Sequence, residues 1–377
     1  MNHRRCLSAG VLWLAMIGNV LAQEVPRAGK AENVILFLVD GLRWQEVFTG
    51  AEEALMNKEN GVADVPALKK EYWRDTAEAR RETLMPFFWK TIAREGQLFG
   101  NQHKGSVARV ANTFRFSYPG HSEMLQGFPD ARIASNDNVP NPNVTVLEWL
   151  NKQPGFAGHV AAFGMWDVIT GILNRERCGF YINAAFEPVK EGLISPRQAL
   201  LNELKAEVPA AIDDGDYDAL LFLSAMEYFK ANKPRAFYIA FDETDGTAHG
   251  GHYNQYLDAI RRADRLIGQL WQTVQSLPEY RGQTTFIITT DHGRGNGAEW
   301  KGHGEKVAGA ENIWVAAIGP RVAPLGERTN VEPITLSQVA ATLAAQVGQD
   351  YCAAEPKAAP AIKLGEAPAR TGGQSER

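Results

Sequence analysis

The chain has 377 residues, of which 45% are hydrophobic and 22% are charged, and this is the composition of an ordinary globular protein. Its length suits one large α/β domain or two modest ones, with enough apolar material for a sizeable core. The formal net charge of −5 gives no indication of binding to a nucleic-acid polymer.

Residues 1–22 have the pattern of a secretory signal peptide. Arg4 and Arg5 precede a mostly apolar stretch, and Val20-Leu21-Ala22 resembles a cleavage site. The stretch is short and a polar Gln23-Glu24 follows it, although an uncleaved anchor is the alternative. No later stretch is long and apolar enough for a stable membrane span. We therefore expect a secreted or periplasmic protein whose catalytic domain covers residues 23–352.

Strands and helices are predicted to alternate along the mature chain. Continuous apolar runs, typical of strands buried on both faces, cover residues 33–39, 159–163, 237–241, 285–289 and 313–318. Helical patterns cover residues 83–95, 144–151, 196–208, 217–230, 256–274 and 336–347. This alternation predicts a three-layer α/β fold, with a mostly parallel central sheet flanked by helices.

Acidic residues and histidines follow several of the predicted strands. They are Asp40 after the run 33–39, Asp245 with His249 after the run 237–241, Asp291 with His292 after the run 285–289, and His303 between two glycines. Ligands of a parallel sheet gather at the carboxyl ends of its strands, so these side chains could share one crevice. Taken singly, each has a simpler explanation as a turn residue, and His252 is as good a candidate as His249.

Ser117 is the candidate nucleophile. It follows an apparent strand over residues 113–116, and Pro119-Gly120 predicts a sharp turn before a helix that starts near Gly120. The amino end of a helix favours an alkoxide and an anionic substrate, although a plain helix cap is the alternative. The Gly-x-Ser-x-Gly elbow of the α/β-hydrolases is absent from the sequence.

Together these motifs supply three Asp, three His and one Ser, which is a full ligand set for two divalent cations. Mixed carboxylate and imidazole ligands suit Zn²⁺, whereas oxygen ligands alone would indicate Mg²⁺ or Ca²⁺. A two-metal site of this kind catalyses the hydrolysis of phosphoric esters. The sequence therefore predicts two bound divalent metal ions, and Zn²⁺ is the ion expected.

The ordered motifs resemble the alkaline phosphatase superfamily, and most closely its nucleotide pyrophosphatase/phosphodiesterase branch. The resemblance extends from Asn33 to about Val347, and Ser117-Tyr118-Pro119-Gly120-His121 fits the nucleophile motif of the branch. It implies that Asp245, His249 and His303 hold one zinc ion and that Asp40, Asp291 and His292 hold the other, with Ser117 bridging towards the substrate. It also implies an Asn near the phosphoryl oxygens, for which we favour Asn136 over the neighbouring Asn138.

The sequence departs from the branch at two places. Glu243-Thr244-Asp245 stands where Glu-Pro-Asp is usual, and Gly304-Glu305-Lys306-Val307 stands where Gly-Tyr-Asp-Asn is usual. Sulfatases share the fold, but their motif ends in Arg where this chain has His121. Cofactor-independent phosphoglycerate mutases share Ser-x-x-Gly-His but carry a large inserted domain for which this chain is too short.

The resulting hypothesis is an exported metal-dependent hydrolase of a small phosphorylated substrate. Phosphodiester or pyrophosphate bonds are favoured, and the reaction would pass through a phosphoseryl intermediate on Ser117. The alternatives are a phosphomonoesterase, a sulfatase-like hydrolase and a transferase that moves a phospho-headgroup. A monoesterase would need a further cation at the site, for which Arg115, Arg294, Lys301 and Lys306 are the candidates.

Two further expectations concern the rest of the chain. Cys178 and Cys352 remain after export, and an oxidising compartment favours a disulfide between them, with two separately buried thiols as the alternative. Residues 353–377 are rich in Ala, Pro, Gly and charge, which predicts a disordered tail. The sequence leaves the oligomeric state unknown.

Overall fold

The computed structural model describes residues 32–208 and 217–365. The predicted signal peptide, residues 1–22, lies outside these residues. The strands are β1 (Asn33–Val39), β2 (Gly96–Phe99), β3 (Ala108–Arg109), β4 (Val160–Gly164), β5 (Tyr181–Ala184), β6 (Ala236–Phe241), β7 (Thr284–Thr289), β8 (Val315–Ile318), β9 (Gly326–Glu327) and β10 (Ile334–Thr335).

The helices alternate with these strands. They are α1 (Trp44–Thr49), α2 (Val65–Tyr72), α3 (Ala77–Leu84), α4 (Ala93–Glu95), α5 (Ser117–Gln126), α6 (Val146–Asn151), α7 (Ile169–Ile172), α8 (Arg175–Cys178), α9 (Pro196–Glu207), α10 (Asp218–Asn232), α11 (Glu243–His249), α12 (Tyr253–Ser276), α13 (Gln338–Gln346) and α14 (Tyr351–Ala354). Short 3₁₀ turns cover Glu53–Leu55, Lys58–Asn60, Gln102–Lys104 and Gly297–Lys301, and a π turn covers Phe88–Ile92.

Eight strands form one sheet in the order β5-β4-β6-β1-β7-β8-β2-β9. The five strands from β5 to β7 are parallel, and β8 runs antiparallel to both of its neighbours. β3 and β10 pair separately. The prediction of a mostly parallel central sheet is confirmed. The connections between parallel neighbours are helical, as the geometry of a parallel pair requires.

Both faces of the sheet are covered by helices, because alternate residues of each strand point to opposite faces. In β1, Ile35, Phe37 and Val39 pack into one core with α1, α3, α10 and α12. Val34, Leu36 and Leu38 pack into the other core with α5, α6, α7 and α13. The three-layer arrangement therefore follows from a central strand that is apolar on both sides.

One predicted helix is divided and one predicted strand is wrong. The helix predicted over residues 83–95 is helical except for a break at Met85, and the buried carboxylate of Asp264 in α12 accepts hydrogen bonds from the N–H groups of Phe87 and Phe88 at the start of its second segment. The strand predicted over residues 113–116 is a turn. The backbone N–H groups just before it donate to Glu123 of α5 instead of to another strand.

The predicted disulfide and the predicted tail are also corrected. Cys178 and Cys352 are both free, and each thiol lies against carbonyl oxygens of its own neighbourhood. Residues 353–365 are not a disordered tail, because Ile362 and Leu364 are buried in the core and Ile362 N donates to Thr342 Oγ1 at 2.8 Å. The remainder of that segment, residues 366–377, lies outside the described residues.

Candidate metal and nucleophile site

Three acidic residues meet at the carboxyl ends of three neighbouring strands. Asp40 directly follows β1, Asp291 follows β7, and Asp245 lies in the first turn of α11 after β6. Because β6, β1 and β7 are adjacent and parallel, these side chains reach one edge of the sheet. The three acids can share one crevice because β6, β1 and β7 are neighbours in the sheet.

Gly41 permits the close approach of these groups. Its φ is +59°, and a Cβ at this position would lie 2.6 Å from Asp245 Oδ1 and 2.7 Å from Arg294 Nη1. Its backbone N–H donates to Asp291 Oδ1 at 3.2 Å. The turn after β1 thus brings two of the carboxylates next to the third.

Helix α5 places Ser117 beside the same edge. The helix begins at Ser117 itself, three residues earlier than expected, and the preceding turn has Arg115 in the left-handed region at φ +56°. Gly120 packs directly on the backbone of Asp291, because a Cβ there would lie 2.4 Å from the Asp291 carbonyl oxygen. Ser117 Oγ lies 3.4 Å from His292 Nε2 and is buried. Helix α5, which carries Ser117, and the Asp291-His292 motif are therefore held together by backbone contact.

His292 lies between two groups of potential ligands. Its Nε2 is 3.2 Å from Asp40 Oδ1, 3.4 Å from Asp291 Oδ2 and 3.8 Å from Asp245 Oδ1. Its other ring nitrogen is 2.9 Å from the Gly293 carbonyl, which can only accept a hydrogen bond. Nδ1 therefore carries a proton, and Nε2 is the ring nitrogen left to face the carboxylates or to bind a cation.

The second group gathers around Asp245. His249 Nε2 lies 3.1 Å from Asp245 Oδ2 and 2.9 Å from His303 Nε2, and His303 Nε2 lies 3.7 Å from Asp245 Oδ1. The His303 Nδ1 faces the Arg115 carbonyl at 3.3 Å, so its Nε2 is also free to bind a cation. His249, and not the exposed His252, is the histidine that meets Asp245.

The charges of this cluster are unbalanced within the protein. Burial and the charge of Asp40 raise the pKa of Asp291 to about 7. Burial lowers the pKa of His292, but the nearby carboxylates outweigh it and raise that pKa to about 9. Burial also lowers the pKa of His303 to about 3, together with the charge of His292. Buried acids crowded in this way need protons or cations between them.

The donor atoms fit the divalent cations that the motifs imply. Asp40 Oδ1 and Asp291 Oδ2 are buried and have no hydrogen-bond partner among the described residues. Such atoms are costly unless something satisfies them. The ligand atoms of Asp245, His292 and His303 lie within 4.8 Å of one another, as do those of Asp40, His121 and Asp291. Mixed carboxylate and imidazole donors at these spacings suit Zn²⁺.

Most candidate cations for a monoester are already engaged. Arg294 is fully buried, pairs with the Asp245 carboxylate and donates to the carbonyls of Trp300 and Lys301. Arg115 pairs with Glu311 at 3.3 Å, and Lys301 Nζ donates to the Glu59 carbonyl at 3.2 Å. Lys306 is exposed. The structure thus leaves Lys306 as the one of the four candidates without a described partner.

The two asparagines have different neighbours. Asn136 Oδ1 accepts a hydrogen bond from the Tyr118 N–H at 3.0 Å, so its amide lies at the amino end of α5 beside Ser117. Asn138 Nδ2 donates to Thr170 Oγ1 at 3.0 Å instead. Of the two asparagines, Asn136 is therefore the one whose side chain bonds to the first turn of α5.

Sequence reasoning missed the contribution of two buried side chains. His121 lies on α5 four residues after Ser117, and its Nε2 is 3.6 Å from Asp40 Oδ2. Its Nδ1 is 2.9 Å from the hydroxyl of Tyr238, in the middle of β6. The helical spacing from Ser117 to His121 puts both on one face, which is the signal that could have found His121.

The profile of the type I phosphodiesterase / nucleotide pyrophosphatase family matches residues 59–308, more than half of the chain. The chain belongs to this family. Ser117 and four of the candidate ligands that follow it, Asp245, His249, Asp291 and His292, lie in the matched range together with His303, whereas Asp40 precedes it. No curated protein matches the chain in sequence.

Solved structures share the fold of this family member at low sequence identity. Alkaline phosphatase PafA has a TM-score of 0.56 at 10% identity, over 91% of this chain and 99% of that one. Murine ectonucleotide pyrophosphatase/phosphodiesterase 5 gives 0.51 at 13% identity, over 88% and 97%. The lipoteichoic acid synthase LtaP of Listeria monocytogenes gives 0.55 at 11% identity, over 86% and 73%. The protein is a hydrolase of the alkaline phosphatase superfamily, which is metal-dependent.

Among residues 32–208 and 217–365 of this phosphodiesterase-family protein, no helix is both long enough and apolar enough to cross a bilayer.

Proposed function

We propose that this protein is an exported two-metal phosphodiesterase that cleaves phosphodiester or pyrophosphate bonds of small substrates through a phosphoseryl intermediate on Ser117. The observation that carries the proposal is the position of Ser117. Its Oγ lies 3.4 Å from His292 Nε2, beside buried carboxylate oxygens that have no partner in the described chain. The N-terminal sequence pattern supports export.

The ligands divide between two cations, and their imidazole groups favour Zn²⁺. Asp245, His249 and His303 would hold one, and Asp40, Asp291, His292 and Ser117 the other. When bound, the two cations would lower the pKa of the serine hydroxyl and neutralise negative charge on the phosphoryl oxygens and the leaving group.

The protein's own groups then orient the reaction. Ser117 Oγ bonds to phosphorus while the bond to the leaving oxygen breaks. The proton that the serine hydroxyl gives up passes through solvent to the leaving oxygen, which departs as an alcohol or a phosphate. The amino end of the ten-residue helix α5 offers positive potential to the phosphoryl group. Asn136 offers an amide at the same end. Water then cleaves the serine–phosphorus bond and restores the hydroxyl.

The diester preference is supported by the engaged cations. A monoester carries one more negative charge than a diester and needs an additional cation beside the site. Arg294, Arg115 and Lys301 are each bound to acidic or carbonyl groups of the protein. A diester, whose second ester group carries no charge, needs none of them.

The test combines a substrate panel with a nucleophile variant. Zinc-loaded protein would be assayed on an aryl phosphate, a bis-aryl phosphate, a nucleotide phenyl ester and an aryl sulfate. We expect the two diesters to give the highest kcat/KM. A preference for the aryl phosphate or the aryl sulfate would contradict the proposed substrate class.

Ser117→Ala should fold and bind zinc but lose turnover by on the order of 10³-fold or more, as happens when other hydrolases lose a nucleophile. Ser117→Thr should retain part of the activity, because a hydroxyl remains. Ser122→Ala is the matched control, since Ser122 is buried in the same helix and accepts a hydrogen bond from Asn141. Near-normal hydrolysis by a zinc-loaded Ser117→Ala variant would defeat the covalent route.

A further inference from the structure

His121 has two possible roles at the metal site, and the two require different protonation. Its imidazole is buried between the Tyr238 hydroxyl, 2.9 Å from Nδ1, and the carboxylates of Asp40 and Asp291, 3.6 and 3.9 Å from Nε2. A ligand to the cation must present a lone pair at Nε2. A hydrogen-bond donor to the carboxylates must present a proton there.

The hydroxyl of Tyr238 decides between these tautomers. Tyr238 is fully buried, and within residues 32–208 and 217–365 its hydroxyl has a hydrogen bond only with His121. Burial holds the pKa of this phenol well above its usual range, so the hydroxyl keeps its hydrogen. A buried hydroxyl hydrogen without an acceptor costs on the order of 1–3 kcal/mol.

No described group lies within hydrogen-bond distance of His121 Nε2, so the tautomer depends on the phenol hydrogen and on the charge of the two nearby carboxylates. If Nδ1 carried the proton, it would donate to the Tyr238 oxygen and the phenol hydrogen would have no acceptor. If the phenol donates to the Nδ1 lone pair, the imidazole proton is on Nε2 and faces two carboxylate oxygens. Neighbouring groups set the tautomer of a histidine in this way.

We propose that His121 is a positioning residue and not a metal ligand: Tyr238 fixes its proton on Nε2, and this proton restrains the outer oxygen of Asp40. Asp40 Oδ2 is the oxygen nearer to His121, whereas Asp40 Oδ1 faces His292 Nε2 at 3.2 Å. With Oδ2 held, Oδ1 is left for the cation. The proton also reduces repulsion between Asp40 and Asp291. The inference rests on the proposed metal centre.

Nitrogen NMR of histidine measures the tautomer directly. In full-length protein labelled with ¹⁵N-histidine, the His121 signals would be assigned by their loss in His121→Gln. We expect a protonated Nε2 and an unprotonated, hydrogen-bonded Nδ1 in the wild type, both metal-free and zinc-loaded. Tyr238→Phe should shift the Nδ1 signal, because its donor is gone. A proton on Nδ1, or a coordination shift of Nε2 when zinc is added, would overturn the proposal.

Zinc affinity, measured by competition with a chelator, tests the positioning role. His121→Ala should lower the affinity for one of the two zinc ions by about 10–100-fold, because a residue that positions a metal ligand would be lost. His121→Gln should restore most of that affinity, because the Gln amide can still donate to Asp40. His159→Ala is the control, since His159 is exposed at the amino end of β4.

Each other outcome has a distinct meaning. Equal and large losses in both variants would make His121 a ligand, and no loss in either would make it a bystander; both results overturn the proposal. Failure of the wild type to bind zinc would overturn the proposed function. The tautomer of the metal-free protein would still be measured in that case, so the two failures are distinguishable.

Discussion

At the scale of single residues, the site depends on carboxylates that the protein buries without enough hydrogen-bond donors. Asp291 Oδ1 accepts from Gly41 N, but its Oδ2 has no partner among the described residues. Asp40 Oδ1 is also buried without a hydrogen-bond partner among these residues. Burial and mutual repulsion raise the pKa of Asp291 to about 7. A divalent cation would satisfy both oxygens and relieve the repulsion, which is why these atoms mark the site.

The neighbourhood of Asn136 gives a prediction with an internal control. Asn136→Ala should lower kcat on the best diester substrate by about 10²-fold, the usual loss for one donor to a developing oxyanion. Asn138→Ala changes the same kind of side chain in the same exposed loop, but that residue bonds to Thr170 and should leave kcat within a factor of two to three. Steady-state kinetics of both variants decides the matter. Equal effects would remove Asn136 from the substrate site.

At the scale of elements, helix α9 is unusual because two of the three side chains that it buries are polar. Gln198 and Lys205 are buried, whereas Leu200 and Leu204 of the same helix are exposed. Lys205 Nζ donates to Asn183 Oδ1 at 2.9 Å and to the Glu187 carbonyl at 3.0 Å, and so fixes the segment after β5. Hydrogen bonds of a buried ammonium therefore hold α9 against the edge of the sheet.

This buried lysine predicts a rise of stability with pH. Burial lowers the pKa of Lys205 from 10.5 to about 8. The native state therefore binds fewer protons than the unfolded state between about pH 8 and pH 10.5, and the free energy of unfolding increases across that window, by roughly 3 kcal/mol at most.

Urea unfolding at pH 7 and at pH 10.5 would test this prediction. The stability of the wild type relative to Lys205→Met should increase at the higher pH, because Met does not titrate. Lys152→Met is the control, since Lys152 is largely exposed and pairs with Glu148, and it should show no such increase. A wild-type advantage that stays constant with pH would contradict the assigned shift.

At the scale of the whole molecule, the ligands join parts of the chain that are far apart in sequence. Asp40 follows β1, Asp245 and His249 lie in α11, Asp291 follows β7, and His303 lies in the loop before β8. A cation bound by these groups cross-links segments that the unfolded chain cannot hold together. Binding to the native state alone raises the free energy of unfolding by about 2.7 kcal/mol at a hundred times Kd.

Removal of metal should therefore lower the thermal stability of the protein. We expect a chelator to decrease Tm and abolish hydrolysis, and added Zn²⁺ to restore both. The Tm increase should persist in Ser117→Ala, because six other ligands remain, and should shrink in Asp40→Asn. Calorimetry with and without zinc measures this, and an unchanged Tm in the wild type would argue against a bound cation.

The cysteines provide a second test at this scale. Cys178 Sγ lies 3.6 Å from the Phe180 carbonyl, and Cys352 Sγ lies 3.6 Å from the Ala359 carbonyl, so each thiol has its own local partner. We expect denatured, unreduced protein that lacks residues 1–22, and with them Cys6, to titrate two free thiols. Titration of none would show a disulfide and would reinstate the pairing expected from the sequence.

The amino-acid sequence by itself determined the sheet and the composition of the site. Short apolar runs such as residues 33–39, followed directly by Asp-Gly, are typical of a strand covered on both faces. The acids that follow them must then lie at strand ends, because the chain turns there. Asp40, Asp245 and Asp291 could be found for this reason, since each signal is local to a few residues.

Only the tertiary structure decided the details that depend on distant partners. Residues 113–116 resemble a strand, but Glu123 accepts the hydrogen bonds of the preceding N–H groups. Asp264 likewise accepts a hydrogen bond from Phe87 N, at the start of the helical segment that follows the break at Met85. The position of His121 relative to Tyr238, 117 residues away, is equally invisible in the sequence. The spacing of apolar residues in a segment indicates which of its side chains face the core. The hydrogen-bond partner of a side chain depends on how separate elements pack against one another.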